Sequence, residues 1–196
     1  MDSSDASQAH PAQLRQFFRS WVQNPFAIGA VAPSGRKLAQ LMVKGVRADA
    51  RVMELGPGTG TVTRAILDSG VDERNLYLVE RDAAFVRLLR QRFPKATLLH
   101  EDATALGAHT RELAGTFDFI VSGLPLVLFS RAQKERLLAH VLELLKPTGA
   151  FHQFTYGGRC PIRRSVRDAL GLDTALLGIA PFNVPPAFVY RLCRAV

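Results

Sequence analysis

The sequence predicts an α/β fold: a mostly parallel, seven-stranded sheet with one antiparallel edge strand and helices on both faces. Three observations carry that expectation. Short apolar runs of strand length alternate with amphipathic stretches of helix length, the pattern that repeated β-α-β units produce. A glycine-rich turn, "ELGPGTGT", joins the first of these runs to the helix after it. The last two strand-like stretches follow one another with only "NVPP" turning between them, too short a link for a parallel crossover.

In chain order, residues 1–10, "MDSSDASQAH", are small and polar without periodicity and read as a flexible tail. Residues 11–45 form an N-terminal unit. Leu14, Phe17, Phe18 and Trp21 fall at i, i+3, i+4 and i+7, one face of a helix between Pro11 and Pro25. After the loop "AIGAVAPSG", a second short helix is expected over residues 36–43. Residues 46–196 carry the alternation, with strands at 51–55, 75–80, 96–100, 117–121, 150–156, 175–182 and 187–193. Helices at 61–68, 83–93, 131–145 and 163–170 lie between them, the third stopped by "KPTG". A loop-helix segment through "TRELAG" links the third strand to the fourth. Right-handed crossovers then place helices on both faces of the sheet.

With 196 residues, 47% hydrophobic and 21% charged, the chain can bury a substantial core, which excludes wholesale disorder. Lys and Arg number 25 against 17 Asp and Glu, a net charge of +8 that favours anionic partners: nucleic acid or an acidic membrane surface. Cys160 and Cys193 match no metal-ligand spacing or redox motif and read as free thiols in a reducing compartment. No apolar run approaches the ~20 residues that span a bilayer, and the N-terminus lacks a signal-peptide core. The expected location is the cytoplasm, with any membrane contact peripheral.

The glycine turn reads Glu54-x-Gly56-x-Gly58-x-Gly60. Glycines there let a ligand approach the backbone closely, with a helix N-terminus just behind. A dinucleotide site would carry G-x-G-x-x-G around a pyrophosphate. This loop has a different spacing and an acid two residues ahead of it, a poor neighbour for pyrophosphate and a good one for a cationic or amino group. Glu80 ends the second strand, where an acid binds ribose hydroxyls. Asp102 ends the third, placed to accept from an exocyclic adenine amine. Together they point to S-adenosylmethionine, whose sulfonium and ammonium suit an acidic, phosphate-free pocket.

At these residues the sequence resembles the class I S-adenosylmethionine-dependent methyltransferases, a seven-stranded Rossmann-like family. More narrowly, "SWVQNPFAIGAVAPSG", "SGLPL", "FHQFTYG" and "NVPPAFVY" resemble bacterial phospholipid N-methyltransferases, over a stretch from about Leu14 to Arg191. The resemblance implies methylation of phosphatidylethanolamine towards phosphatidylcholine at the inner face of the cytoplasmic membrane, releasing S-adenosylhomocysteine. The expected partners are a phospholipid substrate and an anionic membrane surface, with no nucleic acid, protein partner or metal. The expected cofactor contacts are Ser34, Glu54, Gly56, Gly58, Thr59, Gly60, Thr61, Glu80, Arg81, Asp102, Ala103 and Ser122. The chain departs from the family's pattern at Gly35, where a second serine is expected.

"SGLPL" follows the fourth strand, where amino-directed methyltransferases commonly carry (Asn/Asp)-Pro-Pro-(Tyr/Phe), and ribosomal RNA adenine dimethylases Asn-Leu-Pro-Tyr. The amide and a backbone carbonyl there aim the target amine, and the ring stacks on a flipped base. Ser122, Gly123, Leu124, Pro125 and Leu126 keep the Leu-Pro turn but lack both amide and ring. A small alkylamine on an apolar lipid fits better than adenine: carbonyls near Ser122 and Gly123 hold the amine while Leu124 and Leu126 line the acyl side. No ionisable group is needed, because the methyl donor arrives activated and the enzyme chiefly aligns a neutral amine. Tyr156, or water, is the candidate proton acceptor, and His152 on the same strand is a further candidate.

Arg15 and Arg19 flank the apolar face of Phe17, Phe18 and Trp21, the pattern of an interfacial membrane helix. The same face could instead pack over the cleft as a lid, or do both in turn. Two other functions compete with the lipid reading. RNA adenine dimethylation fits the basicity and the Leu-Pro turn. A non-catalytic cofactor-binding module could use the N-terminal helix for association.

Overall fold

The computed structural model describes residues 33–106, 108–156, 158–183 and 185–195. The expected flexible tail and first amphipathic helix, with Arg15, Phe17, Phe18, Arg19 and Trp21, lie outside the described residues.

Four consecutive buried residues, Val52–Leu55, make β1 a strand covered on both faces, the signature of a parallel sheet between helical layers. The remaining strands are β2 (Leu76–Val79), β3 (Thr97–Leu99), β4 (Phe117–Ser122), β5 (Leu145–Thr155), β6 (Leu172–Ala180) and β7 (Ala187–Arg194). The α-helices are α1 (Pro33–Met42), α2 (Thr61–Asp68), α3 (Ala83–Arg92), α4 (Arg131–Leu144) and α5 (Arg164–Ala169). The sheet runs β3-β2-β1-β4-β5-β7-β6, with β1 to β5 parallel and β7 antiparallel to both its neighbours. The expected antiparallel pair thus closes one edge, with β7 slotted between β5 and the outermost strand, β6. The order reverses beside β1, the switch point that opens a crevice at the carboxyl ends of an α/β sheet.

Period-two alternation sorts the core into two layers. Met53, Leu55, Ile120 and Phe151 meet Leu137, Leu138 and Val141 of α4 on one face. Val52, Leu76, Leu78 and Val121 meet Met42 of α1, Ile66 of α2 and Leu89 of α3 on the other. Glu54 has the parity of Val52, so its carboxylate faces α2. Helix starts are capped where they border the crevice. Asp82 accepts from the backbone N–H of Ala84 and Phe85 at 2.7 and 3.3 Å. Ser130 and Gln133 form a reciprocal capping box at the start of α4.

"KPTG" does not separate α4 from β5. The strand begins at Leu145, opposite Phe117, and its register shifts before Ala150 pairs with Phe119. Residues between those pairs bulge, so Pro147 sits in the strand without a missing N–H interrupting the ladder. Other boundaries move by one to three residues: α1 starts at Pro33 rather than 36, β6 runs Leu172–Ala180 rather than 175–182, and α5 is one residue shorter at each end.

At the opposite end of the sheet Asp118 ties three segments together. It accepts from the Arg51 backbone N–H at 2.9 Å and from Lys146 Nζ at 2.9 Å on both oxygens, with Arg47 at 3.5 Å. Partial burial works against ionisation, but these donors and cations outweigh it and hold the carboxyl below the usual aspartate range. A depressed carboxylate stabilises the fold above its unfolded pKa, and the contribution disappears as pH falls through the folded value. Asp118→Asn should therefore lower stability by about 1 kcal/mol at neutral pH, since Lys146 is partly solvated. In denaturant titrations the gap to wild type should close below pH 3.8.

Candidate active site

The carboxyl ends of β1 to β5 open into a cleft of about 350 Å³, within the ~300–1,000 Å³ of small-ligand sites. Its floor is a contact between two backbone loops. Gly123 N–H donates to the Leu55 carbonyl at 2.8 Å, and a Cβ at Gly123 would lie 2.7 Å from the Gly56 carbonyl oxygen. Gly56 has φ +71°, and a Cβ there would strike Leu124 at 2.6 Å. Neither position admits a side chain while the loops stay in contact.

The first half of the cleft is acidic. Glu80, at the end of β2, accepts from Gly58 N–H at 3.1 Å and Asp82 N–H at 2.9 Å, so it shapes the glycine loop from beneath. Each carboxylate oxygen keeps a lone pair for a ligand hydroxyl. Glu54 is buried, and Thr63 Oγ1 donates to it at 2.6 Å. Burial, aided by the Glu80 charge and opposed by the Thr63 hydrogen bond, raises its pKa to about 8. Asp102 takes two bonds from Thr104, backbone N–H and hydroxyl, both at 2.8 Å, and lies 3.8 Å from Arg81. Partial burial opposes ionisation there, but the Thr104 bonds and the charges of Arg81 and Arg136 prevail, and the carboxyl sits below its usual range.

Gly56, Gly58, Thr59, Thr61, Arg81 and Ala103 line the same space, and a Cβ at Gly58 would meet nothing within 4 Å. Gly60 instead turns into the core at Phe93. Ser34 lies in the first turn of α1, its side chain outside the described residues, while Gly35, Leu38, Ala39 and Met42 of that helix wall the cleft.

The second half is mostly apolar. Gly123, Leu124, Pro125, Phe129 and Phe154 line it, with Tyr156 and Asn183 as its polar members. Ser122 is fully buried below this surface, and its Oγ accepts from Leu124 N–H at 3.3 Å. Leu126 is also buried, anchoring the loop in the core rather than lining the cleft. Burial raises the Tyr156 phenol above its ordinary pKa against a hydrogen bond with Asn183, so Tyr156 is a neutral phenol at physiological pH. His152 lies under α1, with Nδ1 2.8 Å from the Met42 carbonyl, and burial lowers its pKa to about 4. It is a core histidine, away from the cleft.

Two contributors were not among the sequence candidates. Gln153, fully buried on β5, donates through Nε2 to the Leu124 and Phe154 carbonyls at 2.9 and 2.8 Å, bracing the Leu-Pro turn from behind. Asn183, from the β6–β7 turn, lines the cleft, and its Oδ1 is buried in the wall with no hydrogen-bond partner among the described residues. The polar "Gln" and "Asn" inside apolar strand and turn patterns were the available signals.

A mostly parallel sheet reversing at β1, a glycine loop and five carboxylates lining one crevice define a Rossmann-like protein with an acidic ligand site. The family model described as "Methyltransferase domain" matches residues 52–149. An ornithine lipid N-methyltransferase of Singulisphaera acidiphila is 32% identical over 192 residues, covering 92% of this chain and 95% of the relative. A ribosomal RNA small subunit methyltransferase A of a Synechococcus species is 33% identical over 144 residues, which cover 69% of this chain and 49% of that protein. Among solved structures, Burkholderia thailandensis 1,6-didemethyltoxoflavin-N1-methyltransferase, bound to 1,6-didemethyltoxoflavin and S-adenosylhomocysteine, aligns with TM-score 0.67 at 16% identity. That alignment covers 100% of this chain and 98% of the other and shows a shared fold.

The chain belongs to the methyltransferase-domain family and is a class I S-adenosylmethionine-dependent methyltransferase.

The residues present suit this cofactor. Glu54, Glu80 and Asp102 all line the cleft and are acceptors of the kind that an amino group, ribose hydroxyls and an adenine amine would need, and Glu54 is a buried carboxyl that stays protonated in the empty protein at neutral pH. A cationic ligand amino group beside Glu54 would reverse that, drawing off the proton. In the folded protein without ligand, Glu54 binds its proton more tightly than an unfolded glutamate does. Stability from this group is therefore full below pH 4.5 and falls as pH rises towards 8, by up to roughly 1.4 kcal/mol per pH unit. Glu54→Gln should remove the decline, so its melting temperature should exceed that of wild type increasingly from pH 5 to 8. Calorimetry in buffers of different ionisation enthalpy should show S-adenosylmethionine binding weakened and its proton release reduced in the variant.

Proposed function

We propose that this protein methylates the amino nitrogen of an aminolipid headgroup at a membrane surface. The observation that carries the reading is the makeup of the acceptor half of the cleft. Leu124, Pro125, Phe129 and Phe154 give it apolar walls without an ionisable base, and the Asn183 Oδ1 acceptor is left without a partner among the described residues. Bound S-adenosylmethionine supplies a methyl group activated on a sulfonium. The chain's own residues have three tasks. Apolar walls disfavour an ammonium and release its proton to water as the headgroup is desolvated. A turn of the Asn183 side chain as substrate enters brings its Oδ1 to accept one amine N–H, and the carbonyl at Gly123 accepts another, which aims the nitrogen lone pair along the cleft. The neutral Tyr156 phenol holds the Asn183 amide in register and closes the wall.

Two lipids present such an amine. Phosphatidylethanolamine is the substrate the motif resemblance implies. Ornithine lipid is what the 32%-identical relative methylates by its name. Both carry the amine on a short polar arm below two apolar chains, and the cleft suits that shared design. RNA adenine dimethylation is the less favoured reading, because no aromatic ring stands at Leu126 to stack a base and that side chain is buried.

Transfer of radiolabel from S-adenosylmethionine should appear in the lipid phase with dispersed phosphatidylethanolamine or ornithine lipid. It should be absent from ribosomal RNA. Label in RNA alone would reverse the assignment.

Asn183→Leu should lower kcat by about 10²-fold on the preferred lipid while leaving cofactor affinity within a factor of two. Asn183→Asp, which retains an acceptor oxygen, should recover part of that loss. A melting curve reports whether either variant is merely unfolded.

A further inference from the structure

Two loops frame the acceptor end of the cleft, and both leave large apolar side chains in water. In the turn after β4, Pro125 and Phe129 line the cleft and Leu126 is buried, while Val127 and Leu128 between them are each 37% exposed. Across the cleft Asn183 lines the wall, and its neighbour Phe182 is 82% exposed. Phe182 sits in "PFNVPP", where Pro181, Pro185 and Pro186 restrict the backbone and hold the ring out. Singly exposed apolar residues are ordinary on a protein surface. These three stand on the two loops through which an acceptor must pass.

The surroundings are cationic. Arg131 and Arg164 are engaged by Glu135 at 2.6 Å and Asp168 at 3.5 Å. Lys134, Arg159 and Arg163 have no carboxylate within ion-pair distance among the described residues. Lys134 is in the first turn of α4, directly after the Val127–Leu128 loop. Arg159 follows β5, and Arg163 caps the start of α5 and is close enough to Lys134 for their charges to repel. Glu54, Glu80 and Asp102 lie on the glycine-loop side of the cleft.

We propose that this rim is a membrane-docking face: Phe182, Val127 and Leu128 enter the headgroup–acyl boundary of an anionic bilayer, and Lys134, Arg159 and Arg163 meet its phosphates. The proposal deepens the aminolipid reading and rests on it for the choice of a bilayer as the occupant. Docked this way, the acceptor end of the cleft opens onto the headgroup layer, so a lipid amine reaches the site while its chains stay in the membrane. Aliphatic Val127 and Leu128 have no face on which a base could stack, so the patch suits lipid better than RNA.

The test uses the single tryptophan of the chain, Trp21. In the full-length double variant Trp21→Phe/Phe182→Trp, mixed phosphatidylethanolamine–phosphatidylglycerol vesicles should shift the emission to the blue. Lipids brominated near the headgroup end of their chains should quench it. Phe182→Ser with Leu128→Ser should weaken vesicle sedimentation about tenfold. Lys134→Gln with Arg163→Gln should weaken it about tenfold on anionic vesicles and little on phosphatidylcholine. Melting curves confirm folding of each variant. Emission unchanged by vesicles would overturn the proposal, as would emission already blue in buffer from cover by another part of the chain or a second copy. A response to RNA without one to vesicles would do the same. Wild-type methylation of a monomerically dispersed short-chain aminolipid tests the proposed reaction independently of docking, so the two ideas fail separately.

Discussion

The site depends on one close approach. The loops that end β1 and β4 touch closely, with Gly123 N–H bonded to the Leu55 carbonyl, its Cα against the Gly56 carbonyl, and the Leu124 side chain over Gly56. This contact makes the cofactor half and the acceptor half of the cleft one continuous space. It also explains why the acceptor turn carries glycine where a side chain would force the loops apart. Gln153 secures the same turn from the next strand, holding the Leu124 carbonyl with an amide fixed by two acceptors. The geometry of transfer is thus set by main-chain contacts within the sheet's own framework, which lose little entropy when a substrate arrives.

Charge is arranged against the composition. The chain carries +8 overall, yet the cofactor half gathers Glu54, Glu80 and Asp102. Basic residues lie at the acceptor rim. The segregation suits a cationic cofactor inside and, on the proposed reading, an anionic surface outside. Glu54 marks the inner extreme. It is a carboxyl so buried that it prefers its proton until a positive group comes to lie beside it. Such a group costs stability in the empty protein, consistent with functional acids carrying strain that a ligand relieves.

Much of this was legible in the amino-acid order. Alternating apolar runs located all seven strands, because strand residues packed against the helical layers are mostly apolar. The glycine spacing and the acids ending β2 and β3 marked the cofactor side, because backbone approach and hydroxyl binding demand those residue types at those points. Harder to see were β5 beginning at Leu145, where a bulge absorbs Pro147, and the burial of Ser122 and Leu126 beneath the cleft. Local composition does not reveal which side of a turn faces solvent.

By itself, then, the sequence determined the layered sheet and the cofactor class to which the glycine spacing and strand-end acids point, since both follow from patterns a few residues long. Only the tertiary structure decided the acceptor side. It brings Asn183 from the last hairpin, Tyr156 from just past β5 and Leu124 from the loop after β4 to one crevice, although these residues are far apart in the chain. The physical reason is the strand order: β7 inserts between β5 and β6, and that pairing carries the final turn to the rim of the cleft. No local propensity encodes a neighbour chosen by long-range strand pairing and the burial it permits.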